Sequence, residues 1–215
     1  MSREAFDRIA ESWYRVRHWP RLRKELEELA QSWRSGRLLN VGCAHGADFL
    51  PFREGFELWG VDFSREMLRQ GQRFCHKFQF EANLVMADAV SLPFGDGTFD
   101  RAVAVASYHH IKGKKERESA LGELRRVLKP GGEAFLTVWN RGQPRFWLKS
   151  REEKVPWRVK GETVYRYYHL FSYGELGKLL SRVGFEILSL LPEKSYSFPV
   201  KDFSRNICAL VRKPS

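Results

Sequence analysis

At 215 residues, 43% of them hydrophobic, the chain is long enough to bury a core without disulfides or metals and fits a single domain over 1–215. Cys43, Cys75 and Cys208 are odd in number and in no CxxC spacing, which excludes a disulfide framework and fits a reducing cytoplasm, and no apolar run approaches the roughly 20 residues of a membrane span. A formal net charge of +11 is more than a purely small-molecule partner requires and favours a polyanion, nucleic acid first.

The segment from Phe6-Asp7-Arg8-Ile9-Ala10 to Trp13-Tyr14-Arg15-Val16-Arg17-His18-Trp19-Pro20 mixes aromatic and basic side chains. That composition suits a lid that closes over a ligand and stacks on a base, and equally a packing helix that covers a sheet. Leu22, Leu26, Leu29, Ala30 and Trp33 then recur at helical spacing, which predicts an amphipathic helix ended by Gly36. Leu38-Leu39-Asn40-Val41-Gly42-Cys43-Ala44-His45-Gly46 runs an apolar strand into a glycine-containing turn, where a nucleotide-like ligand finds room. Phe56 to Asp62 reads as a second strand ending in a carboxylate suited to the hydroxyls of a ribose. Ser64 is the N-cap of a helix with Arg69, Arg73, His76 and Lys77 on a basic face.

Asn83 to Ala87 is the third strand, and Asp88 after it can receive an adenine amino group. Pro93, Gly95 and Gly97 forbid regular structure before the fourth strand, Arg101 to Ala106, which runs out at Ser107-Tyr108-His109-His110. Ligands of open α/β sheets sit beyond the carboxyl ends of strands, so these side chains should face a reacting group. Neighbouring histidines seldom point at one metal and no third ligand is near, so no metal is expected. A helix with Ala120, Leu121, Leu124 and Leu128 on one face stops at Pro130-Gly131-Gly132, and Glu133 to Trp139 is the fifth strand.

From Asn140 to Val164 periodicity fails, which reads as a loop. Its Arg141, Arg145, Trp147, Lys149, Arg151, Trp157, Arg158 and Lys160 interleave charge with flat rings, as phosphates and stacked bases require, or as a solvated loop does. Tyr165-Arg166-Tyr167-Tyr168-His169-Leu170-Phe171 leads into a helix to Arg182, and Phe185 to Leu188 with Asn206 to Val211 supply a closing pair of strands.

The glycine turn, Asp62, Asp88 and Lys129-Pro130-Gly131-Gly132, in that order, resemble the class I S-adenosylmethionine-dependent methyltransferases over nearly the whole chain. The resemblance implies an α/β fold with a Rossmann-like seven-stranded sheet, mostly parallel with a reversed last strand, and helices on both faces. It implies S-adenosylmethionine as cofactor, with Asn40, Gly42, Ala44 and Gly46 on its methionine and ribose side, Asp62 and Phe63 at the ribose, Asp88 and Ala89 at the adenine, and Ala106 at the fourth strand end. Asn40 stands where that family carries Asp or Glu, and Ala44 where it often has its middle glycine.

Arg166-Tyr167-Tyr168-His169-Leu170-Phe171, with His109-His110 and an early segment ending in Trp19-Pro20, is similar to the tRNA wobble-uridine methyltransferases, the family that includes the methyltransferase domain of human AlkB homologue 8. That family esterifies the carboxymethyl group of the wobble uridine. Here the likeness implies a tRNA anticodon stem-loop as substrate and Arg17, His109, His110 and Arg166 as catalytic residues that orient a carboxylate. It makes residues 1–36 a helical lid and residues 140–170 a substrate-binding insertion, with Arg141, Arg145, Lys149, Arg151, Trp157, Arg158 and Tyr167 on the RNA. It also implies a small zinc-binding activator protein docked on the third-strand edge, at about residues 80–87. Fewer residues separate Arg17 from Trp19-Pro20 than in that family. Two alternatives stay open: a small-molecule O-methyltransferase with the same core, and a cofactor-binding protein without catalysis, at which Asn40 and Ala44 hint.

Overall fold

Short strands rich in Leu, Val and Ala, separated by amphipathic helices, bury both faces by lying parallel between two helical layers. The computed structural model describes residues 3–159 and 161–215, so Lys160 lies outside the described residues. Its strands are β1 (Gly36–Val41), β2 (Phe56–Asp62), β3 (Asn83–Met86), β4 (Phe99–Val105), β5 (Leu128–Trp139), β6 (Glu152–Val159), β7 (Glu162–His169), β8 (Glu186–Pro192) and β9 (Asn206–Arg212). Seven of them form a sheet in the order β3-β2-β1-β4-β5-β9-β8, while β6 and β7 pair apart as an antiparallel hairpin. β1 to β5 are parallel and β9 runs antiparallel to both neighbours, the expected mostly parallel sheet with a reversed last strand.

Among the described residues five α-helices complete the fold: α1 (Arg3–Val16), α2 (Arg23–Trp33), α3 (Arg65–Phe78), α4 (Lys114–Val127) and α5 (Tyr173–Arg182). Successive strand residues face opposite ways, so Leu38 and Leu39 serve two cores. Leu39 packs in the cluster that holds Leu121, Leu124, Leu176 and Leu180 of α4 and α5. Leu38 packs in the cluster that holds Leu26 and Trp33 of α2 with Phe49, Phe52 and Leu68. Each such leucine contributes roughly 1.5–3 kcal/mol of burial, which fixes the strand ends that the site depends on. Ser64 caps α3 as expected, its hydroxyl accepting from Met67 N at 3.2 Å. Asp7 of α1 adds a carboxylate there, taking the Ser64 hydroxyl at 2.6 Å and the Glu66 amide at 3.2 Å.

Two segments depart from the sequence reading. The stretch expected as a loop contains β6 and the first residues of β7; on β6, Glu153, Val155, Trp157 and Val159 are half-buried and the residues between them exposed. Charged members on both faces and Pro156 within the run conceal that alternation. The chain after α4 is already paired at Leu128, opposite Phe99, and a register shift then brings Arg101 opposite Glu133. Pro130-Gly131-Gly132 therefore makes a bulge inside β5, with Gly131 at φ 73°, rather than the turn before it. β3 is a four-residue edge strand, as expected of the third strand, and Met86 is exposed on it. Among the described residues no helix is long and apolar enough to cross a membrane.

Candidate active site

Strand order reverses between β1 and β4, and the crevice beyond their carboxyl ends is where an open α/β sheet receives a ligand. A cavity of about 460 Å³ opens there. Its floor is the turn after β1, with Gly42 and Ala44, together with Asp62 and Phe63 after β2, Asp88 and Ala89 after β3, and Ala106 after β4. Gly42 sits at φ 74°, and a Cβ there would lie 2.4 Å from that of Ser107, so the turn requires glycine. Ala44 and Ala106 hold left-handed φ values of 48° and 55°, which few non-glycine residues adopt.

Asp62 holds this floor together. Its Oδ2 accepts from Ala44 N and its Oδ1 from Ser64 N, each at 2.9 Å. Burial raises its carboxyl to about 6, against the opposing pull of those hydrogen bonds. Each oxygen keeps a lone pair, so the carboxylate can accept two ligand hydroxyls from the cavity. Asp88 lines the cavity too, with Oδ1 accepting from Val90 N at 3.2 Å. Asn40 and Gly46 do not line it. The Asn40 side chain is fully buried, its Oδ1 and Nδ2 without partners, and Gly46 begins the short turn Ala47–Phe52. Asp48, on that turn, faces the cavity instead, and burial lifts its carboxyl to about 7 against the pull of Arg17.

The roof comes from distant parts of the chain. Phe6 and Trp13 of α1 are followed by Arg17 and Arg21, and strand parity on β7 turns Arg166 and Tyr168 inward while Tyr165 is exposed. Arg17 lies 3.9 Å from the Trp13 ring, and Arg166 lies 4.9 Å from that of Trp157 and 5.3 Å from that of Tyr168. Burial, then the neighbouring Arg21, lowers Arg17 to about 10, and burial lowers Arg166. The Nε atoms of Arg17 and Arg166 are buried without partners, the condition of a guanidinium that awaits an anion. Trp139 N donates to His109 Nδ1 at 3.2 Å, so the neutral ring carries its proton on Nε2, which has no partner. Burial, then His110 and Arg166, holds His109 well below the usual histidine range. His110 Nδ1 donates to the Tyr167 carbonyl at 2.9 Å, and burial pushes its ring down to about 3. His45 Nε2 donates to the Arg17 carbonyl, tying the glycine turn to the roof.

The four expected catalytic residues, Arg17, His109, His110 and Arg166, thus line one cavity. Of the seven expected on RNA, Arg145 and Trp157 line it, and the other five do not. Arg151 pairs with Glu175 at 2.8 Å, Lys149 lies 3.9 Å from Glu153, and Arg158 is exposed on the hairpin. Tyr167 points to the face of β7 opposite Arg166, and Arg141 bonds Phe171 through its backbone. Sequence reasoning passed over Asp48, Arg21, Tyr168 and Arg205, all of which line the cavity. Two-residue parity with Arg166 was the available signal for Tyr168.

An acid-lined cavity at the strand-order switch of such a sheet defines a binder of a nucleoside-containing ligand. Residues 39–136 match the family described as Methyltransferase domain. Over 86% of its length the chain is 31% identical to a protein of Encephalitozoon cuniculi that carries a provisional methyltransferase name, and it covers 86% of that protein. It is 31% identical over 63% of its length to the mouse tRNA (carboxymethyluridine(34)-5-O)-methyltransferase ALKBH8, of which it spans only 19%. The CcbJ methyltransferase of Streptomyces caelestis shares its fold with a TM-score of 0.78 at 16% identity, over 98% of each chain. The chain belongs to the class I S-adenosylmethionine-dependent methyltransferases, and S-adenosylmethionine is its cofactor. The cavity fits that ligand: the Gly42 turn admits its backbone-hugging end and Asp62 has lone pairs free for ribose hydroxyls.

Proposed function

We propose that the chain methylates a carboxylate, the 5-carboxymethyl group of a tRNA wobble uridine, to give the methyl ester. The observation that carries this reading is the convergence, above an acidic floor, of Arg17, Arg166 and the partnerless Nε2–H of neutral His109. When bound, the cofactor supplies a methyl group activated on a sulfonium. A carboxylate with a pKa near ~4 is ionised at neutral pH and requires no general base. With the cofactor bound, one carboxylate oxygen would take the methyl group as the carbon–sulfur electron pair left with sulfur, and no proton would need to move. What remains for the protein is alignment. Arg17 and Arg166 hold the carboxylate, while the neutral His109 donor positions it without taking further electron density from the attacking oxygen. Asp62 holds the turn that carries Gly42 and Ala44 and would take the ribose hydroxyls of the bound cofactor on its remaining lone pairs.

The net charge of +11, the arginines at the cavity mouth and the likeness to the mouse tRNA enzyme support an RNA acceptor. In this reading residues 1–36 act as a lid and 140–170 as the RNA-binding insertion, in a cytoplasmic enzyme whose cysteines are free. The exposed β3 edge, at residues 80–87, receives the small zinc-binding activator by strand pairing. The test is transfer of labelled methyl from S-adenosylmethionine to tRNA bearing 5-carboxymethyluridine, with the chain alone and with the activator. Label released as methanol by mild alkali supports the ester. Cofactor binding with no label in RNA overturns it.

A further inference from the structure

Beside the cavity lies a second, shallower basin lined by Pro144, Tyr196 and Phe203, among others, and Arg145 and Arg205 line both hollows. These two arginines are therefore the wall between them. The loops carrying them are pinned by buried amides: Asn140 Nδ2 donates to the Asp202 carbonyl at 2.7 Å, and Gln143 Nε2 to those of Asn140 and Arg205 at 2.8 and 3.0 Å. Glu193, also on the basin, spends its carboxylate on the amides of Arg205 and Asn206 at 3.2 and 2.7 Å. Trp147 and Phe198 do not line the basin themselves but pack on Phe203, which does; they are 59% and 56% exposed, with ring centroids 5.7 and 6.2 Å from that of Phe203. Exposed flat rings beside a cationic partition match a nucleotide, whose base stacks while its phosphate meets charge.

We infer that this basin seats a nucleotide adjoining the acceptor uridine in single-stranded RNA, its base against Trp147, Phe198 and Phe203 and the linking phosphate between Arg145 and Arg205. The inference rests on the RNA reading above. A strand that places one nucleoside in the cavity and its neighbour in the basin must carry its phosphodiester across the partition, where the two guanidiniums stand.

The test uses the full chain with S-adenosylmethionine and a short anticodon-loop RNA containing 5-carboxymethyluridine, intact or abasic at either neighbouring position. Removing the base on one side raises KM roughly tenfold in the wild type and barely at all in the Trp147→Ala/Phe198→Ala variant, whereas Trp147→Tyr retains most of the effect. Arg205→Gln lowers the slope of log affinity against log salt by about 1, as loss of one phosphate contact requires. Cofactor affinity, unchanged in every variant, reports the fold. RNA methylation with an equal abasic penalty in wild type and variant overturns the basin and leaves the RNA reading standing. No methylation of any RNA by cofactor-bound wild type, with the activator present, overturns both. Equal loss on an apolar protein surface, with RNA unaffected, assigns the rings to a protein partner and overturns the inference.

Discussion

The floor of the cavity is assembled from turns at the ends of β1, β2, β3 and β4, whereas the roof takes side chains from α1, the segment after it, the segment after β5, the β6–β7 hairpin and the loop before β9. On the floor, the bond from Ala44 N to Asp62 spans 18 residues of sequence. On the roof, the bond from Trp157 Nε1 to Ser12 Oγ, 2.8 Å long, spans 145. Charge divides the same way, with Asp48, Asp62 and Asp88 below and Arg17, Arg21, Arg145, Arg166 and Arg205 above. One cavity thus presents carboxylates on one side and guanidiniums on the other, and the two halves should fail separately.

The sharpest way to break that division is Arg166→Met. Transfer to a carboxylate should fall by about a hundredfold or more, while calorimetric cofactor affinity stays within about twofold. Arg166→Lys should recover only part, because a lysine cannot offer the planar fork. Equal loss of both functions would dissolve the distinction. The converse change is Asp62→Asn, which should weaken cofactor binding by more than about tenfold and leave turnover at saturating cofactor much less affected. Unchanged affinity there would remove Asp62 from the floor's chemistry.

Within the roof, Arg145→Glu should weaken RNA about fivefold or more and Arg151→Glu less, because Arg151 is already paired with Glu175 at 2.8 Å. Filter binding at fixed salt ranks the two. The remaining prediction concerns stability. His110 has a folded pKa of about 3, below its unfolded value near ~6.5, so the unfolded chain takes up a proton that the folded one refuses. Its contribution is complete above about pH 6.5 and is lost as pH falls from there toward 3. His110→Asn keeps a donor for the Tyr167 carbonyl and should flatten the fall in Tm between pH 6.5 and 4. An identical slope would refute the assignment.

What could be read in the sequence follows the same boundary. The Gly42 turn and the Asp62 carboxylate were legible because a glycine at positive φ and an acid at a strand end act through backbone a few residues away. Asn40 and Gly46 look like cavity residues only while neighbours in sequence are taken as neighbours in space. Strand parity buries Asn40 under the turn, and the tight turn after Gly46 brings Asp48 round instead. The hairpin stayed hidden because its half-buried face mixes Glu153 with Val155 and Trp157. With it went the distinction between Tyr167 and Tyr168, which depends on knowing that β7 is a strand. Arg21 and Arg205 gave no local sign, since only the closed chain brings them to one opening.

Asp7 belongs to α1, yet its carboxylate grips the first turn of α3, directly after Asp62. The helix that walls the cavity with Phe6 and Trp13 is thereby bolted to the peptide that follows Asp62 on the cavity floor. Undocking of α1 must therefore break both of the Asp7 hydrogen bonds at once. Deuterium uptake at the Glu66 amide should report that opening, slow while Asp7 accepts from it and fast when α1 comes away.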